Sequence, residues 1–251
     1  MRIDTVTAPN PGPYTLDGTR SYVLGGEAVV DPGPSIAAHV DALLAAAPHL
    51  TTIFVTHRHA DHAPAAAALR SRTGARVVAP AGIEPQPDVP LRDGDVFPIG
   101  EETLEAIATP GHTGEHFCFL SSAGDLFTGD TILGEGTTTI FPPDGDMAAY
   151  IDSLRKLRGR EPRAIYPGHG PVRRDAAAWI DYYIAHRLER EAQVVAALRL
   201  GPATPAALRE RIYPGLDPAL HAAATLQMEA HLAKLERDGK AVRTGSTWSS
   251  A

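Results

Sequence analysis

At 251 residues, with 43% hydrophobic and 21% charged positions, the chain is long enough to bury a sizeable core in one or two domains. Its formal net charge of -7 argues against a broad basic surface that binds nucleic acid by counterion release. A single cysteine rules out an internal disulfide, and no apolar run reaches the roughly 18 residues of a membrane-spanning helix.

In chain order, Ala28-Val29-Val30 reads as a short strand and Ile36 to Ala47 as a helix. Ile53-Phe54-Val55 reads as a buried strand, and the segment from Pro64 to Arg72 as a helix with proline tolerated in its first turn. Between them lies Thr56-His57-Arg58-His59-Ala60-Asp61-His62, three imidazoles and a carboxylate on a strand-to-helix loop. Val77-Val78 is a further strand candidate, and the strand-like Leu104 to Ala108 runs into Pro110-Gly111-His112. Phe117 to Leu120 reads as an apolar strand that buries Cys118, and His116 just before it as an exposed strand-start residue. Leu126-Phe127 precedes Thr128-Gly129-Asp130, and Ile165-Tyr166 precedes Pro167-Gly168-His169-Gly170. Each of these candidate ligands follows a short apolar run and has a glycine beside it. Nitrogen and carboxylate donors without thiolate suit zinc, and also iron or manganese. Gly134 to Asp146, rich in Gly and Pro, reads as a loop near the mouth of the site, and Ala148 to Arg158 as a helix.

After Pro171 the pattern becomes helical. Asp175 to Leu200 reads as one long helix, ended by Gly201-Pro202. Thr204 and Pro205 start a short helix to Tyr213, and Asp217 and Pro218 start another that ends at Gly239. Ala241 to Trp248 reads as a hairpin turning at Thr244-Gly245-Ser246. Three helices and a hairpin suggest a winged-helix-like domain over 173–251, after a mixed α/β domain over 1–172. The nearly even acid-base balance of the last helix, with Glu229, Glu236 and Asp238 beside Lys234 and Arg237, is poor for reading duplex DNA.

The order His-x-His-x-Asp-His, then His, Asp and His, resembles the metallo-β-lactamase-fold hydrolases. Asn10 to Thr19, Tyr166 to Pro171, His186-Arg187, Arg190-Glu191 and His231 to Leu235 resemble the β-lactamase-like protein 2 branch. The chain departs from that pattern at Ala63-Pro64-Ala65 and at Arg20, both near the expected substrate mouth. The resemblance implies a four-layer αββα sandwich with metals at one edge. It implies a first metal on His57, His59 and His112, a second on Asp61, His62 and His169, and Asp130 bridging. Two zinc ions, with iron or manganese as alternatives, would share a hydroxide oriented by Asp61, the catalytic residue. Asp31, in the early Asp-x-Gly turn, is a candidate to orient a ligand imidazole. The implied reaction is hydrolysis, with cleavage of single-stranded RNA slightly ahead of hydrolysis of an ester or thioester on a small molecule or acyl carrier. A mononuclear iron persulfide dioxygenase is the alternative from another class. A cytoplasmic protein with no membrane partner is expected, its oligomeric state open.

Overall fold

Short apolar runs in the first ninety residues assemble one sheet. In the computed structural model, which describes residues 1–251, β1 (Ile3–Thr7), β2 (Arg20–Leu24), β3 (Ala28–Val30), β4 (Thr52–Phe54), β5 (Arg76–Ala79) and β6 (Val89–Pro90) lie side by side in chain order. The first three pair antiparallel, and β3 to β6 pair parallel. Parallel neighbours need a crossover. Helix α1 (Ala37–Ala46) supplies it between β3 and β4, and α2 (Ala65–Thr73) between β4 and β5.

The two-residue period of a strand sends alternate side chains to opposite faces. Val29, Ile53 and Val77 therefore pack with Leu43 and Leu69 of the helices, while Val30, Phe54 and Val78 pack on the other side. That other side meets a second sheet. Its strands are β7 (Val96–Ile99), β8 (Glu102–Ala108), β9 (Phe117–Ser121), β10 (Asp125–Gly129) and β11 (Ala164–Pro167), in the order β11-β10-β9-β8-β7. Phe54 meets Phe97 and Phe119 edge-on, each at 5.3 Å between ring centroids. Tyr22 meets Tyr166 at 5.4 Å, and its hydroxyl donates to the Pro167 carbonyl at 2.7 Å. Aromatic rings thus lock the two sheets face to face.

These strands belong to one compact unit, formed by residues 1–109, 115–138 and 157–179. The other unit comprises residues 110–114, 139–156 and 180–251. Helix α3 (Met147–Arg158) and helix α4 (Ala176–Leu198) contribute to both, whereas α5 (Pro205–Ile212), α6 (His221–Arg237) and the hairpin β12 (Ala241–Thr244) and β13 (Thr247–Ser250) lie wholly in the second. Thr204 caps α5 by accepting from Ala207 N at 3.2 Å. Asp217 caps a single 3₁₀ turn, Pro218–Leu220, ahead of α6, rather than α6 itself as the sequence suggested. Val194, Leu198, Leu208, Met228, Leu232, Leu235 and Trp248 form this unit's core. Paired backbone hydrogen bonds between Ala203 and Trp248, at 2.8 and 2.9 Å, pin the hairpin. No helix of the structure is long and apolar enough to cross a membrane.

His231 of α6 is buried in this second unit. Burial, reinforced by Arg187 and Lys234, pushes its imidazole down to about 3. In the unfolded chain it protonates near 6.5, so it contributes stability above that pH, which is lost as pH falls toward 3. We expect the thermal midpoint followed by circular dichroism to fall between pH 6.5 and 4, with about 3 kcal/mol at most from this group. His231→Gln should flatten that part of the profile; an unchanged slope would contradict this reading.

Candidate metal centre

Strand ends gather the candidate ligands. The loop Thr56 to His62 leaves the C-terminal end of β4, Asp130 follows β10, and His169 follows β11. Since β10 and β11 run parallel, their two candidate ligands emerge at the same sheet edge.

The buried Asp31, at the end of β3, organises the loop. It sits at φ 51°, a left-handed conformation that aspartate tolerates better than most residues. Its Oδ1 accepts from Thr56 N at 2.8 Å and its Oδ2 from Thr56 Oγ1 at 2.9 Å. The same Oδ2 lies 2.8 Å from His62 Nδ1, so it accepts that ring's proton and turns the His62 Nε2 lone pair toward the site. The hydrogen bond that an orienting role requires is thus present.

Two imidazole nitrogens lie close to two carboxylate oxygens. Asp61 Oδ2 lies 3.1 Å from His169 Nε2 and 3.4 Å from His62 Nε2. Asp130 Oδ1 lies 3.3 Å from each of those nitrogens, and the nitrogens are 3.4 Å apart. Separations of 3.1–3.4 Å between donors are those of ligands that share an ion at bond lengths of about 2.0–2.2 Å. The Thr19 hydroxyl donates to Asp61 Oδ2 at 3.1 Å. Asp61, His62 and His169 form one group able to hold a cation, with ligand atoms within 4.8 Å of one another. His57, His59 and Asp130 lie within the same distance of one another. His57 Nε2 faces His59 Nδ1 at 2.9 Å, and the other nitrogen of His57 meets Thr56 Oγ1 at 2.9 Å. His112 belongs to the second compact unit, where its Nδ1 donates to the Thr139 carbonyl at 2.9 Å.

The charges are mutually dependent. Burial opposes ionisation of Asp61 and Asp130, but the field of His62 and the hydrogen bond from His169 hold both carboxyls below their usual range. Burial also opposes charge on the rings, yet Asp130 and Asp61 raise His62 well above its ordinary value and lift His169 to about 9. Two carboxylates set among buried imidazoles therefore draw positive charge into the cage, as protons or as a cation. The donor set fits a divalent metal.

Sequence reasoning missed His116. It is buried rather than exposed: its ring stacks on His57 at 4.8 Å, and its Nδ1 lies 3.1 Å from Thr109 Oγ1 and 3.2 Å from Thr131 Oγ1. The Asp130 backbone N–H donates to its Nε2 at 3.3 Å, so His116 supports both His57 and Asp130 from behind. An isolated histidine at a strand start carries no signal of that role. Cys118 is a buried thiol between Thr109 Oγ1 and the Thr128 carbonyl, as the apolar run suggested. Arg20 pairs with Asp17 at 2.8 Å, and Arg173 lies over the Trp179 ring at 3.8 Å.

Gly168 is a packing requirement of the cage. A Cβ there would lie 2.6 Å from His62 Cε1 and 2.9 Å from Asp130 Oδ1, too close for any side chain. Asp31 offers the sharper test, because Asp31→Asn keeps the shape and loses the charge. We expect this variant to bind zinc about 10–100-fold more weakly in chelator competition. Unchanged affinity would show that Asp31 does not set the His62 ring.

Comparison with known proteins agrees with this architecture. The Metallo-beta-lactamase superfamily profile matches residues 14–169, and the Beta-lactamase associated winged helix domain profile matches residues 204–248. A Beta-lactamase-like protein 2 homolog from Caenorhabditis elegans is 33% identical over 94% of this chain and 85% of its own length. An Atrochrysone carboxyl ACP thioesterase from Aspergillus fumigatus is 35% identical over 79% of this chain and 65% of its own length. The crystal structure of a metallo-beta-lactamase family protein from Thermus thermophilus superposes with TM-score 0.82 at 22% identity, covering 99% of this chain and 98% of that one, a likeness of fold. The chain therefore belongs to the metallo-β-lactamase superfamily and carries the winged helix domain associated with it.

Proposed function

We propose that the protein is a dinuclear zinc hydrolase that cleaves a thioester on an acyl carrier or small molecule. The observation that carries the hydrolase reading is the cage of Asp61, His62, His169 and Asp130, with separations of 3.1–3.4 Å that match a zinc-sized centre. In this reading His57, His59 and His112 hold one ion, Asp61, His62 and His169 the other, and Asp130 reaches both. His112 is assigned by its place in the motif order; its Nδ1 donates to the Thr139 carbonyl, which makes Nε2 the acceptor nitrogen of a neutral ring. Residues 1–172 form the catalytic domain and 173–251 the winged-helix-like domain. The lone, buried cysteine fits a cytoplasmic setting.

The ions, when bound, would supply Lewis acidity, lowering the pKa of a water to about 7 and stabilising a developing oxyanion. The chain's own groups do the rest. Asp61, about a quarter exposed, orients the attacking water while Thr19 fixes its Oδ2. It accepts the proton as the carbon–oxygen bond forms and passes it to the departing sulfur, leaving a carboxylic acid and a thiol. Asp31 and His116 keep the imidazoles aimed.

The thioester substrate is favoured by the 35% identity to a carboxyl ACP thioesterase. Cleavage of single-stranded RNA is the second reading. It rests on the resemblance to the β-lactamase-like protein 2 branch, whose named relatives match 92–94% of the chain. The net charge of -7 disfavours a polyanionic substrate. Purified protein should contain about two zinc ions per chain by mass spectrometry and turn over an acyl-thioester panel, with labelled single-stranded RNA left intact. Asp61→Asn should lower kcat by about 10²–10⁴-fold. RNA cleavage without thioester turnover would reverse the substrate assignment. One iron per chain and no zinc would move the protein to the persulfide dioxygenases.

A further inference from the structure

His112 is held differently from the other imidazoles. The peptide carbonyls and ring around it are anchored on the segment 139–156 rather than on a strand. The Gly111 carbonyl accepts from Asp146 N at 2.9 Å, and the Pro110 carbonyl accepts from Ser153 Oγ at 2.8 Å. His112 Nδ1 donates to the Thr139 carbonyl. Gly111, at φ 141°, lies so near α3 that a Cβ would fall 2.3 Å from Tyr150 Cα. The orientation of His112 therefore follows the position of Thr139, Asp146 and Tyr150.

That segment is in turn gripped by the helical part of the same compact unit. Arg237, in the last turn of α6, makes a bidentate pair with Asp146, at 2.6 Å to Oδ2 and 2.8 Å to Oδ1. The Asp146 carboxylate also caps α3, accepting from Ala148 N at 2.8 Å and Ala149 N at 3.0 Å. One aspartate thus joins α6 to the N-terminus of α3 through its side chain and to Gly111 through its backbone. Gln227 of α6 adds a parallel tie: it donates to the Ile140 carbonyl at 3.4 Å and accepts from Arg187 at 3.3 Å. Arg187 lies over the Tyr150 ring at 5.3 Å.

We propose that Arg237 of the winged-helix module is a positioning residue for the metal-binding loop, fixing His112 through Asp146 and Gly111. This rests on the reading of His112 as a ligand. An ion pair with both side chains more than a third exposed adds little to global stability. A fork-to-fork geometry does, however, fix orientation. The partner of this α6 arginine is thus the carboxylate whose backbone supports the His112 loop.

The test is a cobalt titration of the full-length metal-free chain, read by visible d–d absorption and paired with the thermal midpoint of the metal-free protein. Arg237→Met should bind one of the two cobalt equivalents about 10-fold more weakly, the lower end expected for a residue supporting a ligand, with altered band intensities and an unchanged midpoint. Asp146→Asn keeps the α3 cap, since Asn caps as well as Asp, and should show the same loss. Combining the two should add nothing further. Arg237→Lys should recover part of the affinity. His112→Ala separates the two possible failures. If it weakens one equivalent and Arg237→Met titrates as wild type, Arg237 has no positioning role. If His112→Ala itself titrates as wild type, the ligand assignment falls, and this inference with it.

Discussion

Two imidazole nitrogens facing each other at 3.4 Å, with two carboxylate oxygens beside them, constrain the rest of the molecule. Lone pairs and negative charges buried this closely repel unless a positive charge sits among them. Everything else follows from holding these groups in place. Asp31 removes the proton question for His62 by accepting at its far nitrogen. Gly168 leaves the space that a Cβ would take from His62 and Asp130. His116 supports His57 and the Asp130 backbone from behind. The scaffold behind them is two sheets locked by Phe54, Phe97, Phe119 and Tyr22, rigid enough to hold short, unforgiving distances.

The sheet topology explains why the motif is scattered. The candidate ligands after β4, β10 and β11 come from two sheets, each at the end of a strand. A site of this kind needs several separate chain passes, each ending in a tight turn, so its residues recur at strand ends rather than in one run. Only the Thr56 to His62 loop concentrates donors, because a strand-to-helix turn presents several side chains to the same side.

That scattering also sets what the sequence can reveal. The clustering of these His and Asp residues was legible because such residues, set beside Gly at the ends of apolar runs, seldom serve packing alone. Helices α1, α2 and α3 were legible within about two residues, the usual uncertainty of helix ends. Strands β1, β2, β6 and β7 were not. Val89–Pro90 is two residues long, and Val96–Ile99 contains a proline, which weakens any strand pattern. The Pro218–Leu220 turn was read as the start of α6, since proline after an aspartate cap opens both kinds of helix. His116 was misread because burial depends on neighbours seven and fifteen residues away, Thr109 and Thr131. The grouping of His112 with the helical unit was beyond reach for the same reason: it depends on hydrogen bonds to Asp146, Ser153 and Thr139, none of them close in sequence.

The proposed centre consists of nitrogen and oxygen donors that enclose a pair of cations. X-ray absorption spectroscopy at the zinc edge of the zinc-loaded protein tests it most directly. Only nitrogen and oxygen scatterers are expected at about 2.0–2.2 Å, with a second zinc at about 3.5–4 Å. A sulfur shell near about 2.3 Å, or a hydrated ion with no imidazole scattering, would contradict it.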